Sequence, residues 1–366
     1  MRDRLRTVVR GVVALSAAGL VAAGLTACGE EDGPGLNGTL PGAGASSQEL
    51  AMLAWIAGMN ERHPDVLVSY DPVGSGSGRE MFLNEATAFA GSDAAMEPEE
   101  LERGRERCNG GSVIELPLYI SPIAVAYNLP GLGSEHLNLD PETLAKIFNG
   151  DITAWDDPAI AEHNPDAELP SMDIVPVNRS DDSGTTENFT EYLAEAGGDA
   201  WPHEPSETWP ISGTQSGAQT NGVVQTLQAA EGTIAYVDAA QVPEDAGTVA
   251  VQVGDEYVPY SSEAAARVVD VSEPAEGATD LRLTIDLARD TTESGVYPIV
   301  LVSYTIACSR YESEQDAQNL TAFLRYVASP EGQQLAADPT VAGSAPISDD
   351  LRERVYGAID QIGVAR

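Results

Sequence analysis

Lysine is almost absent from this chain. Lys146 is the only one, and every other basic residue is an arginine. Against 19 basic residues stand 58 acidic ones, a formal charge of −39. Such acidity excludes nucleic acid and anionic membrane surfaces as partners, since both would be repelled. Histidine is scarce too: His63, His136, His163 and His203 stand apart with no metal-ligand spacing, so no metal site is expected. No Gly-Lys-Ser or Gly-Lys-Thr occurs, which removes the nucleotide P-loop. The run Gly74-Ser75-Gly76-Ser77-Gly78 has glycine rather than serine at its centre, so it is no nucleophile elbow. With no histidine placed to serve as a base, hydrolase chemistry is disfavoured and no cofactor is called for.

What is present begins with a processing signal. Arg2, Arg4, Arg6 and Arg10 form a positive start, and Gly11 to Leu25 is an apolar stretch too short for a retained membrane span. Leu25-Thr26-Ala27-Cys28 then has the form of a lipobox, in which residues 1–27 are cut away and Cys28 is lipidated. A plain secretory signal is the alternative reading of the same residues. Residues 28–37 read as a flexible tether. In an oxidising extracytoplasmic space the two other cysteines, Cys108 and Cys308, either pair or stay as buried thiols.

The body of the chain, roughly 330 residues, exceeds one comfortable core and points to two lobes. Strand-like runs (Val66–Tyr70, Leu116–Tyr127, Gly232–Val237, Tyr297–Cys308) alternate with helical ones (Pro141–Asn149, Asp316–Val327), the signature of α/β architecture. The acidic stretch from Pro243 to Glu276 is poorly patterned and reads as a hairpin and loop excursion.

One segment carries most of the chemistry. Arg179-Ser180-Asp181-Asp182-Ser183-Gly184-Thr185-Thr186 follows the extended run Ile174–Val177 and precedes a helical pattern from Glu187 to Leu193. Ser183 suits the N-cap, and the helix start offers backbone N–H groups and a favourable dipole to an anion. Arg179 adds a fork that matches two oxygens of phosphate or sulfate. An ordinary capped helix with a surface Arg–Asp pair is the bland alternative. Gly42-Ala43-Gly44-Ala45-Ser46-Ser47 and Val73-Gly74-Ser75-Gly76-Ser77-Gly78-Arg79 are two more glycine-rich turns into helical runs, and Ala90-Gly91-Ser92-Asp93-Ala94 ends an apolar stretch with a carboxylate.

Together, GAGASS, VGSGSG, AGSDA, ISPIAVAYNLPGL, LDPETLAKIFNGDITAWDDPAI, NRSDDSGTTENFTEYL, EGTIAYVDAA and YPIVLVSYTIAC make the chain resemble, from about Gly42 to Pro346, the phosphate-binding lipoproteins of bacterial phosphate ABC transporters, the PstS family. The resemblance implies a two-lobe periplasmic-binding-protein fold of type II, with two hinge crossings near Tyr119 and Val300. Lobe one would be 38–119 plus 300–366, and lobe two 120–299. Cys108 and Cys308 would share lobe one. The same resemblance implies that inorganic phosphate is bound by Ser46, Ser47, Ser75, Asp93, Arg179, Asp181, Ser183, Gly184 and Thr185. Asp93 would accept the phosphate proton, and Asp181 would hold Arg179. Ser46-Ser47 replaces the Thr-Phe of many relatives, and Asp182 replaces a frequent glycine, its side chain expected to face solvent. Implied partners are an ABC permease with its ATPase subunits, and the membrane through the lipid on Cys28, at the outer face of the cell membrane. An extracytoplasmic phosphoesterase or sensor on this scaffold, or a binder of another oxyanion, is the alternative.

Overall fold

The computed structural model describes residues 35–132 and 136–365; Cys28 and the leader lie outside them. Strand and helix alternate from the start: β1 (Gly38–Gly44), α1 (Glu49–Arg62), β2 (Val66–Asp71), α2 (Ser75–Leu83), β3 (Phe89–Ser92), α3 (Pro98–Arg107) and the long β4 (Val113–Asn128). There follow β5 (His136–Leu139), α4 (Pro141–Asn149), α5 (Pro158–His163), β6 (Val175–Arg179), α6 (Gly184–Gly197), β7 (Gln215–Gly217), α7 (Gln219–Ala229) and β8 (Thr233–Asp238). The rest comprises β9 (Gly247–Val253), β10 (Glu256–Val258), α8 (Ser262–Asp270), β11 (Glu273–Pro274), β12 (Ile285–Asp286), β13 (Val300–Cys308), β14 (Arg310–Tyr311), α9 (Glu314–Ala328), α10 (Pro330–Ala337), α11 (Asp349–Ile359) and β15 (Gly363–Val364). Among the described residues no helix is long and apolar enough to cross a membrane.

One mixed sheet runs in the order β2-β1-β3-β13-β4-β8-β6-β7, with β9 also pairing with β4 and carrying β5 and β10. Parallel pairs form its two ends, β2-β1-β3 and β8-β6-β7, and antiparallel pairs its middle. The strand β4 links them. Its near-continuous apolar run is buried up to its last residue, as expected of a strand covered on both faces. Val113–Pro122 pairs with β13, whereas Ile123–Asn128 pairs with β8. The β4–β13 register slips between Ser303 and Tyr304, which face Tyr119 and Pro117. Pro117 has no N–H for the ladder, and a bulge is where a strand tolerates that loss. Cys108, at the end of α3, and Cys308, at the end of β13, form a disulfide of 2.08 Å.

Two stretches differ from their sequence reading. GTLPGAG has a single strand former, Thr39, among three glycines and a proline, yet it is β1, held between β2 and β3. Its glycines permit close approach: a Cβ on Gly42 would lie 2.2 Å from the Phe89 ring, and one on Gly44, at φ +148, would lie 1.9 Å from the carbonyl oxygen of Gly91. The Pro243–Glu276 stretch does contain the hairpin β9–β10, but it also contains α8. That helix is capped by Ser261, whose side chain accepts from the N–H of Ala264. It buries Ala264, Ala265 and Val268 along one face.

Candidate functional site: an oxyanion cup at three helix starts

The residues singled out in the sequence are brought together. β1 delivers Ser46 and Ser47 to the start of α1, the β2–α2 turn delivers Ser75, the end of β3 delivers Asp93, and the β6–α6 turn delivers Arg179 through Thr185. The first amides of a helix have no carbonyl of their own helix to bond. Three such starts therefore aim donors and positive dipole ends at one region.

Asp93 is the hub. Its carboxylate accepts from Ser47 Oγ at 2.8 Å to each oxygen and from Thr185 Oγ1 at 3.1 Å. Its backbone N–H donates to Ser75 Oγ at 3.1 Å, and its carbonyl accepts from Asn188 Nδ2 at 2.8 Å. Gly184 packs so closely that a Cβ there would lie 2.7 Å from Asp93 Cβ and 2.8 Å from Ser75 Oγ. Burial pushes the Asp93 carboxyl above its ordinary range, while the hydroxyls of Ser47, Ser303 and Thr185 and the charge of Arg179 pull the other way. Ser303 is the next rung beyond the Ser92–Tyr304 pair of the β3–β13 ladder. Its buried hydroxyl closes no hydrogen bond of normal geometry.

Arg179 is a buried cation, only 4% exposed, rather than half of a surface pair. Asp181 takes two prongs of its fork, Nε at 2.9 Å and Nη2 at 2.5 Å, while Nη1 finds no acceptor among the described residues. Burial alone would raise Asp181, but the two guanidinium bonds, the charge of Arg179 and the amide of Gln219 outweigh it and hold the carboxyl below its usual range. Gly74, at φ +99, makes room for this pair, since a Cβ there would lie 2.8 Å from Asp181 Oδ2. Ser183 caps α6, its hydroxyl accepting from Thr186 N–H at 3.3 Å. Asp182 is exposed and accepts from Thr208 Oγ1 at 2.7 Å, so its extra charge is directed away from the cup.

An arginine with an uncommitted prong, a buried carboxylate ringed by hydroxyls and three helix starts are the groups that recognition of a tetrahedral oxyanion requires. The whole of residues 29–331 matches the PBP superfamily domain. The chain is 33% identical to phosphate-binding protein PstS2 of Mycobacterium bovis, over 95% of this chain and 98% of that protein. It belongs to the PstS family. Phosphate-binding protein PstS 3 of Mycobacterium leprae is 34% identical over 88% of this chain and 87% of its own length. The periplasmic-binding-protein fold is shared with a phosphate-binding protein from Stenotrophomonas maltophilia (TM-score 0.65, 18% identity, 88% of this chain and 94% of that one). It is shared too with a putative phosphate ABC transporter substrate-binding protein from Clostridium perfringens with bound phosphate (TM-score 0.60, 17% identity, 83% and 99%).

Sequence reasoning passed over several residues that shape this PstS-family site. Ser46 Oγ lies 3.0 Å from Thr220 Oγ1 and accepts from Thr220 N–H at 3.1 Å, while Gln241 Nε2 donates to the carbonyls of Ser46 at 3.0 Å and Ser47 at 3.3 Å. Tyr236 OH accepts from Arg179 N–H at 3.1 Å and pairs with Thr186 Oγ1 at 2.8 Å. Thr220 stands at the start of α7, just after the tight turn at Gly217, a strand–glycine–helix signal of the kind read elsewhere, whereas Tyr236 and Gln241 carry no such signal and only the fold brings them to the cup.

Proposed function

We propose that the protein captures inorganic phosphate in this cup and hands it to an ABC permease with its ATPase subunits for import, without chemical change to the ligand. The observation that carries the reading is Asp93, a buried carboxylate set among hydroxyl donors and beside Arg179. Phosphate near neutral pH carries at least one O–H for such an acceptor. Sulfate carries none and meets only repulsion. A site built around a required hydrogen bond rejects the analogue lacking it by roughly 10⁴–10⁵. The names of the relatives and the phosphate in the Clostridium perfringens neighbour support the same ligand.

In this reading the lobes are 38–119 plus 300–366 and 120–299. Ser46, Ser47, Ser75 and Asp93 come from the first, Arg179, Asp181, Ser183, Gly184 and Thr185 from the second, and phosphate favours closure by bridging them. The protein is extracytoplasmic, held to the outer face of the membrane by lipid on Cys28. Calorimetric titration of ligand-stripped protein with phosphate and with sulfate tests the ligand. One-to-one binding of phosphate alone is expected, and Asp93→Asn, whose amide can donate, should let sulfate in. Equal sulfate exclusion in wild type and Asp93→Asn would remove Asp93 from the selection. Mass spectrometry of the mature N-terminus tests the anchor, a diacylated cysteine being the expected result.

A further inference from the structure

Arg79 is not part of the oxyanion cup, yet it is one of the most heavily committed side chains in the molecule. It projects from α2 and is only 5% exposed. Its Nη1 and Nη2 each donate at 2.8 Å to one oxygen of Glu207, a bidentate pair. Its Nε donates to Glu100 at 2.9 and 3.0 Å, and Nη1 donates also to Ser92 Oγ at 2.9 Å. Glu207 lies in the loop after α6, and its backbone carbonyl accepts from the N–H of Ser183, the cap of that helix, at 3.1 Å. Gly76 in the first turn of α2 keeps the contact tight, for a Cβ there would lie 3.2 Å from Glu207 Oε2 and 3.0 Å from Asp182 Cβ. Glu207 thus ties the helix that begins at Ser75 to the helix that begins after Ser183, the two walls of the cup.

We propose that Arg79 and Glu207 form a charged latch across the cleft, made on closure, that sets how long phosphate is held. The proposal rests on the lobe assignment above, which places Arg79 in lobe one and Glu207 in lobe two. Glu100 and Ser92 keep the guanidinium partnered when the lobes part, and Glu207 then faces water, where its charge needs no partner. Opening therefore strands no buried charge, whereas closure gains two charge-assisted bonds. These are positioning residues: they do not touch the anion, but they weight the closed state in which all three helix starts meet it.

The test is Glu207→Ala in the otherwise unchanged protein, with Glu207→Gln as its conservative counterpart. The alanine leaves the Glu207 carbonyl and the cap of α6 intact, so the cup itself is preserved. Three results are expected for Glu207→Ala. Phosphate dissociates roughly 10–100-fold faster, with little change in its association rate. The thermal midpoint without phosphate moves by less than about 2 °C, as for a surface substitution. Small-angle scattering of the ligand-free protein shows a radius of gyration equal to or above that of wild type. Glu207→Gln, which keeps one hydrogen bond, should fall between the two in dissociation rate. An unchanged dissociation rate together with an unchanged radius of gyration in the presence of phosphate overturns the latch. A large fall in the ligand-free midpoint does so as well, since it assigns Glu207 a purely structural role. Wild-type protein that binds no phosphate would overturn the phosphate reading and, because the latch is made on closure over phosphate, the latch with it; normal phosphate binding with an unchanged dissociation rate overturns the latch alone.

Discussion

Asp93 and Glu187 are both carboxylic acids pushed upward by burial, and their neighbours give them opposite roles. Asp93 meets hydroxyl donors and Arg179, which oppose the push and set its oxygens as hydrogen-bond acceptors. Glu187, in the first turn of α6, meets other carboxylates. Burial is the main cause, Glu207, Glu191 and Glu97 add repulsion, and Arg79 offsets only part, so its carboxyl is raised from 4.5 to about 8. A carboxyl raised in the folded state contributes stability that is complete below its unfolded value and lost as pH climbs through its folded value. For Glu187 the loss runs from 4.5 to about 8. Glu187→Gln removes the titration, and thermal melts across pH are the check. Variant and wild type should coincide near pH 4, and the variant should gain by a few degrees between about pH 5 and 8, then hold that lead. A constant offset at every pH would mean that Glu187 acts through packing, with its proton irrelevant.

At the scale of elements, the site depends on how closely the start of α6 approaches the end of β3. Gly184 is the contact point, and no side chain fits between α6, Asp93 and Ser75. Gly184→Ala should push α6 back by the better part of an ångström. That would cost Thr185 its bond to Asp93 and weaken phosphate binding by at least about 100-fold, a loss of some 3 kcal/mol for a charged acceptor robbed of a donor. The midpoint without ligand should fall little, because an open cleft relieves the clash. Titration calorimetry beside a ligand-free melt separates the two effects, and a large fall in both would mean that the clash persists without ligand. The same elements show how far the sequence could be read. Ser183 as cap, Asp140 and Pro141 at the start of α4 and the buried run of β4 were legible because each rests on a local rule of capping or patterning. The strand β1 was not, because its glycines serve tight approach to Phe89 and Gly91 instead of local propensity. Gln241 and Tyr236 were not, because their contact with Ser46, Ser47 and Arg179 is set by pairings far apart in the chain.

For the whole molecule, an excess of carboxylates surrounds a receptor for an anion. The two coexist because surface charge is screened within about 8 Å at physiological salt, while the donors of the cup act at contact distance. The same excess makes the folded chain repel itself, so covalent closure has more to do here than in a neutral protein. Cys108–Cys308 joins the end of α3 to the end of β13 across 200 residues of sequence. A loop that long loses much unfolded-state entropy when closed, a contribution of about 2–5 kcal/mol. Replacing both cysteines by serine should therefore lower the thermal midpoint by roughly 3–7 °C. Because the bond is buried at the far ends of α3 and β13, beyond the Ser92–Tyr304 pair beside the cup, the phosphate affinity of the folded variant should match wild type within about twofold. Added phosphate stabilises only the native state, so at 100 times its dissociation constant it should restore about 2.7 kcal/mol, roughly what the disulfide supplied. A midpoint unmoved by the double substitution would show that the unfolded chain is already compact enough, despite its charge, for the cross-link to constrain nothing.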